Sequence, residues 1–155
     1  LFRANLNEKR SLITLKEELE AARIYQRIEQ LRMGERLKVR WEVKELPMLA
    51  LVPALTVQPL LENAIGHGVE NMEGGGTVTV EGTEADGVIV LRVRNPLPLD
   101  GAPGRGGHGI ALDNIRERLQ LIFGAGAQTR SGREGDEFVV ELRFPALLTP
   151  PEMAS

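Results

Sequence analysis

A chain of 155 residues with 42% hydrophobic and 26% charged side chains has the balance of an ordinary globular domain, large enough to bury a core without covalent staples. Its 22 acidic and 19 basic residues give a formal charge of -3, which leaves no basic footprint and argues against nucleic acid as a partner. The lack of cysteine excludes a disulfide framework and thiolate metal sites, and no apolar run is long enough to span a bilayer.

The chain opens at Leu1-Phe2-Arg3 with neither Met nor a signal pattern, so it reads as a piece of a longer protein. Leu12, Leu15, Leu19, Ala22, Tyr25, Ile28 and Leu31 recur at three- and four-residue intervals with charges between them, which predicts one long amphipathic helix. Residues 37–43 alternate apolar and charged side chains, the pattern of a strand with one wet face. Pro47 and Pro53 bracket a connector. Beyond it, Val57, Leu60, Leu61, Ala64 and Ile65 form the apolar stripe of a second helix across 55–68. Gly74-Gly75-Gly76 ends the next loop, and residues 77–81 and 88–94 are predicted strands joined by the hairpin signal Asp86-Gly87. Residues 95–109 are rich in Pro and Gly and are predicted to be irregular. A third helix is expected over 111–123, with Leu112, Ile115, Leu119 and Ile122 on one side. Two last strands fall at 127–130 and 137–144, and the tail from Pro145 to Ser155 is expected to be loose.

Hairpin-linked strands mixed with helices predict an α+β sandwich, one mostly antiparallel sheet with helices on one face. Residues 77–94 lack the crossover helix that a doubly wound parallel sheet needs, and no GxxxxGK[ST] spacing is present, so Rossmann and Walker-type folds are disfavoured.

Two segments carry the chemistry. On the second helix, Asn63 and His67 are four residues apart and share a face; an amide oxygen held rigidly there suits Mg²⁺, a hard cation that keeps water and phosphate oxygens as its other ligands. From the residues alone, Glu62 and Asn63 read equally well as the solvated edge of a core helix. Gly107-His108-Gly109, just ahead of a helix, offers uncluttered backbone N–H groups to an anion, or else is a surface turn in which His108 is an exposed loop residue.

The order of the segments is more specific than either alone. Gln58-Pro59-Leu60-Leu61-Glu62-Asn63-Ala64-Ile65-x-His67-Gly68 resembles the N box of the LytS/YehU-type sensor histidine kinases, where the helix appears as QPLVENAIKHG. Gly107-His108-Gly109-Ile110-Ala111-Leu112-x-Asn114-Ile115-Arg116-Glu117-Arg118-Leu119 resembles their GxGIGLxNVRERL block. Upstream, Leu15-x-Glu17-Glu18-Leu19 and Tyr25-x-x-Ile28-Glu29-Gln30-Leu31-Arg32 are similar to their LxEELxxxxxYLxIEQLRF signature, and Asn95-Pro96 points to the AlgZ-like branch. The resemblance extends over about residues 10–145.

It implies a Bergerat-type ATP-binding sandwich, a mixed and mostly antiparallel sheet with helices on one face, preceded by an N-terminal helix. By the same resemblance, Asn63 takes the Mg²⁺ and nucleotide position, Glu62 orients water or the metal shell, and His67 stands near the phosphates. Asn95 meets the adenine amino group. Gly107, His108, Gly109, Ile110 and Leu112 form the nucleotide-binding block beside a lid over 96–106. Several positions depart from the pattern: Asn95 stands for the usual Asp and Pro96-Leu97-Pro98 for its following glycines, Gly66 for a frequent Lys, and Ala111 for the second glycine of the lid block. These departures imply a weaker hold on the nucleotide.

The family's phosphoacceptor histidine lies in an upstream motif, whereas His67 and His108, the two histidines here, fall inside ATP-site motifs. The expected division is therefore 1–33 as the tail of a dimerisation region, 34–145 as the ATP-binding catalytic domain and 146–155 as a flexible tail. The implied function is transfer of the γ-phosphoryl of Mg-ATP to a histidine outside this chain and thence to a LytTR-type response regulator. The implied setting is a homodimeric kinase held at a bacterial inner membrane by segments not present here, with this part in the cytoplasm. The rival readings are a degenerate nucleotide-binding domain acting as a protein-interaction module and an ATPase or anti-sigma-type kinase on the same fold; the helix preceding the domain argues against the latter.

Overall fold

Thr14 and Glu17 decide where the first helix begins. The Thr14 hydroxyl accepts from the Glu17 N–H at 3.1 Å and the Glu17 carboxylate accepts from the Thr14 N–H at 3.0 Å, a reciprocal capping box. Helix α1 (Leu15–Met33) thus starts three residues later than its apolar period suggests, and Leu12 belongs to a short strand, β1 (Leu12–Thr14). The computed structural model describes residues 12–98 and 108–150, with the backbone alone described at 108–110. β1 pairs antiparallel with β3 (Leu51–Pro53), a small sheet the sequence reading did not anticipate, because three-residue strands are too short to show a period.

The main sheet has five strands in the order β2-β4-β5-β7-β6. β2 (Leu37–Glu42) runs parallel to β4 (Gly76–Ala85), and the remaining pairs, β4 with β5 (Val88–Pro96), β5 with β7 (Glu137–Pro145) and β7 with β6 (Gln128–Glu134), are antiparallel. The mixed, mostly antiparallel sheet is the one expected. The β4–β5 hairpin turns on Asp86 and Gly87, both left-handed at φ 53° and 78°, the geometry that matches the twist of the flanking strands. The strands outrun their sequence signal. Asn95 and Pro96 continue β5, paired with Phe138 and Glu137, instead of opening an irregular stretch. The tail is likewise tied down at its start: the Ala146 N–H donates to the Gly87 carbonyl at 2.8 Å, and the Leu147 carbonyl accepts from the Leu51 N–H at 2.7 Å. Residues 151–155 lie outside the described residues.

Among the described residues three helices cover one face of the sheet: α1, α2 (Val57–Asn63) and α3 (His108–Phe123). Leu15, Leu19 and Ala22 of α1, Leu60 and Leu61 of α2, and Ile115 and Leu119 of α3 share one core with Val78, Val80, Leu91, Leu142 and Phe144 from the strands. The opposite sheet face is charged; there Arg94 bridges Glu81 at 2.7 Å and Glu137 at 3.1 Å. α1 is also fastened to the sheet edge, where the Arg23 guanidinium lies 4.9 Å from the Trp41 ring centroid and the Trp41 indole N–H donates to Gln26 at 2.8 Å.

Truncation at the centre of the helix layer, Leu61→Ala, is expected to lower stability by about 2–5 kcal/mol in urea unfolding. Leu31→Ala, at a side chain 89% exposed, should stay within about 0.5 kcal/mol of the parent.

Candidate nucleotide-binding site

α2 does not stop at Asn63. It widens into a π turn over Ala64–Gly68 and closes as a 3₁₀ turn over Val69–Asn71, with the Val69 N–H shared between the Ala64 and Ile65 carbonyls. The π turn brings Gly68 against the end of β5. A Cβ at Gly68 would sit 2.3 Å from Asn95 Nδ2 and 2.9 Å from Asn95 Cβ, so only glycine admits this approach of helix to strand. Asn95 is 2% exposed, and its amide N–H donates to the Pro96 carbonyl at 3.0 Å. The N-box segment and the end of β5, 27 or more residues apart in sequence, therefore share one corner of the fold, where π turns recur at functional sites.

Asn63 is half-buried at the last position of α2, and its amide nitrogen is buried with no hydrogen-bond partner among the described residues. Oxygen and nitrogen of an amide exchange places by a half-turn of the side chain, so either a donor or an acceptor can occupy this buried, unpartnered direction. Glu62, next to it, is exposed and accepts from Gln58 Nε2 at 3.3 Å. His67 is half-buried one turn on, its carbonyl accepting from Asn71 Nδ2 at 3.0 Å. Among the described residues no group of three or more His, Cys, Asp or Glu side chains converges as a metal cage. Mg²⁺ is usually held by one or two protein oxygens plus phosphate and water, and Asn63 fits that sparse role.

The glycine-rich block is described only in part. Gly107 and residues 99–106, where the lid is expected, lie outside the described residues. His108, Gly109 and Ile110 form the first turn of α3, so this stretch is helical and not irregular; their side chains are not described. Leu112 is 5% exposed and packed in the core, so it anchors α3, and any hold it has on a nucleotide passes through that helix.

Three side chains to which the sequence motifs give no site role stand close to α2. Tyr25 of α1 faces Glu62: burial, then the Glu29 and Glu62 carboxylates, push its hydroxyl up to about 12 against the opposing pull of Arg32. Glu18 of α1 and Arg118 of α3 both bond the turn that leads into α2. Glu18 left a trace in the sequence, since a carboxylate three residues after Leu15 and one before Leu19 stands in the apolar phase of the helix.

Comparison with known proteins bears on the fold and the family. No protein-family model matches the chain. Over 129 residues it is 36% identical to the sensor histidine kinase YesM of Bacillus subtilis, a match covering 80% of this chain and 22% of YesM. It is 30% identical over 150 residues to the sensor protein LytS of Staphylococcus saprophyticus, covering 88% of this chain and 25% of LytS. Among solved structures, the catalytic domain of the histidine kinase ThkA aligns with a TM-score of 0.62 at 14% identity, over 88% of this chain and 96% of that one. Full-length ShkA in complex with AMPPNP aligns at 0.61 and 18% identity, over 91% and 32%. ThkA in complex with the response regulator protein TrrA aligns at 0.59 and 15% identity, over 90% and 42%. The architecture is thus that of histidine kinase catalytic domains. The chain spans about a quarter of the length of the curated relatives it matches. Within that span it belongs to the sensor histidine kinases of the LytS/YehU family.

Two outcomes test the corner. Gly68→Ala should cost about 1–3 kcal/mol by overpacking, and adding Asn95→Ala should recover part of that loss, because two of the three crowding Asn95 atoms disappear; a double-mutant cycle in urea measures the coupling. The second is alkaline. Tyr25 is the one tyrosine, and its folded hydroxyl titrates above the ordinary value of 10.0, so folding favours the neutral form. The stability it contributes is complete below about 10 and is lost as pH rises toward about 12, and tyrosinate absorbance should show the raised midpoint in the folded chain and the ordinary one in denaturant.

Proposed function

We propose that this chain is the ATP-binding catalytic part of a two-component sensor histidine kinase, transferring the γ-phosphoryl of Mg-ATP to a histidine outside the chain and thence to an aspartate of a LytTR-type response regulator. The observation that carries this reading is the Asn63 amide, partly buried with an unsatisfied polar atom, on the same helix whose π turn packs against Asn95. Support comes from the relatives named as sensor histidine kinases, from the shared fold of ShkA solved with AMPPNP, and from that of ThkA solved with TrrA.

In this reading Asn63 turns its amide oxygen to Mg²⁺, which when bound neutralises phosphate charge and orients the transferring group. Glu62, exposed beside it, would orient water or the metal shell, and His67 would stand near the phosphates. Asn95 presents its carbonyl oxygen to the adenine amine, since its nitrogen is engaged by the Pro96 carbonyl. Gly107, His108, Gly109 and Ile110, with the first turn of α3 anchored by Leu112, meet the phosphates at a helix N-terminus. The chain's contribution is position and charge, which dominate phosphoryl transfer.

We assign residues 1–33 to the end of the dimerisation region, 34–145 to the ATP-binding domain and 146–155 to a tail. Ile24, Ile28 and Leu31 support self-association of the whole kinase, because they are exposed on α1 at the four- and three-residue spacing of a helical seam. No described helix is long and apolar enough to cross a membrane, so membrane attachment of the whole kinase is assigned to other segments. A second reading, a degenerate domain serving mainly protein interaction, is favoured by Asn95, which lacks the carboxylate charge and spends its N–H internally.

Calorimetry with Mg-ADP separates the two. The parent chain is expected to bind, and Asn63→Ala should weaken the Mg-dependent part at least about tenfold, or 1.4 kcal/mol. An absence of heat and of any thermal shift at millimolar nucleotide would sink the kinase reading and leave the interaction module. Mixing the chain with a fragment carrying the upstream histidine helix and following labelled γ-phosphate tests the transfer itself.

A further inference from the structure

The first turn of α2 is capped by a side chain 39 residues upstream. Thr56, its N-cap residue, makes no side-chain cap and instead donates its hydroxyl to the Pro53 carbonyl at 2.6 Å. Pro59 has no N–H to offer. The donors that remain, with those of the preceding turn, converge on the Glu18 carboxylate: Leu55 N–H at 3.0 Å on Oε1, and Thr56, Val57 and Gln58 N–H at 2.9, 2.7 and 3.1 Å on Oε2. Glu18 is 1% exposed, and among the described residues these backbone groups are its hydrogen-bond partners.

The same turn is held from the other side. Leu55 is left-handed at φ 62°, a conformation a leucine adopts only when its surroundings impose it. Its carbonyl accepts from Arg118 Nη1 at 2.8 Å, and the Ala54 carbonyl accepts from Arg118 Nη2. The N–H groups of residues 55–58 are therefore held by α1, and the carbonyls of residues 54 and 55 by α3. A carboxylate withdrawn from these donors would remain buried and unsolvated, among the costliest arrangements a core can hold. α1 thus cannot slide or rotate without taking the start of α2 with it. Asn63 lies six residues along that helix, about 9 Å at the rise of an α-helix.

We propose that Glu18 is a positioning residue: through it α1 sets the placement of α2 and hence of Asn63, so that a shift of α1 is felt at the nucleotide helix and the converse. The nucleotide half of this inference rests on the function proposed above; the mechanical half does not. Hydrogen exchange on the full chain tests both. Without nucleotide, Glu18→Gln replaces one accepting oxygen by an N–H₂ group and should speed exchange of the amides of residues 55–58, 60 and 61 at least about tenfold while β5 and β7 keep their rates. Equal acceleration across the sheet, or none at these amides, would overturn the inference and leave Glu18 as a contributor to general stability.

With Mg-ADP, reciprocity requires that exchange in residues 22–33 slow in the parent and that Glu18→Gln abolish the slowing while still binding nucleotide. Slowing that persists in Glu18→Gln would also overturn it. If the parent binds no nucleotide, the kinase reading fails, and the ligand-free comparison still decides this one. Glu18→Asp, which keeps the charge but withdraws it by one methylene, covers the case in which Glu18→Gln does not fold: it should retain the fold and still speed exchange at 55–58.

Discussion

One buried carboxylate organises the helix layer of this domain. Even with its π and 3₁₀ turns, the helical run that begins with α2 is too short to be stable by itself, and it has neither a side-chain cap at Thr56 nor an N–H at Pro59. Its existence depends on tertiary contacts, and Glu18 supplies the polar one by satisfying four consecutive N–H groups from a neighbouring helix. The apolar contacts of Leu60 and Leu61 supply the rest. Glu62, Asn63 and His67 stand on α2 and its π turn, and Asn95 on the strand end that the π turn touches, so this part of the proposed site takes its geometry from α1, while the glycine block leads into α3.

A second constraint sits at the far end of the same helix. The π turn and Gly68 let β5 approach until the Asn95 amide rests where a Cβ would otherwise be. The two ends are fixed by different physics, charge–dipole satisfaction at Thr56–Gln58 and steric fit at Gly68. Asn63 lies between them, held at a polar position without a described protein partner for its nitrogen. A segment clamped at both ends supplies the preorganisation that the role proposed for Asn63 requires.

The legible part of the fold was that with a period. The helical periods of α1 and α3, the alternation in β2 and the Asp86-Gly87 turn map onto the structure, because they express the matching of side-chain spacing to 3.6 or 2 residues, although the α1 stripe is buried at Leu15, Leu19 and Ala22 and exposed at Ile28 and Leu31. Features without a period were missed: the three-residue strands β1 and β3, the continuation of β5 through Asn95 and Pro96, and the pairing of the tail with Gly87 and Leu51. The start of α1 was misjudged for a related reason. Leu12 shares the apolar phase of the helix, but the Thr14–Glu17 capping box ends the helix before reaching it. Of the candidate site, the motif order named Glu62, Asn63, His67 and Asn95, and the structure sets the helix of the first three against the strand end that carries the fourth. Leu112, in contrast, is a core residue, and Gly107 lies outside the described residues.

By itself the sequence determined the class of architecture, the hairpin and the family, because periodicity, turn chemistry and motif order are local or ordinal properties of the chain. Only the tertiary structure decided that Glu18 caps α2, that Arg118 grips the turn before it, and that Asn95 fills the space Gly68 leaves. Each of these joins residues 27 to 64 positions apart through a hydrogen bond or a contact whose cost depends on burial. Burial is a property of the packed layers, and no spacing along the chain encodes it.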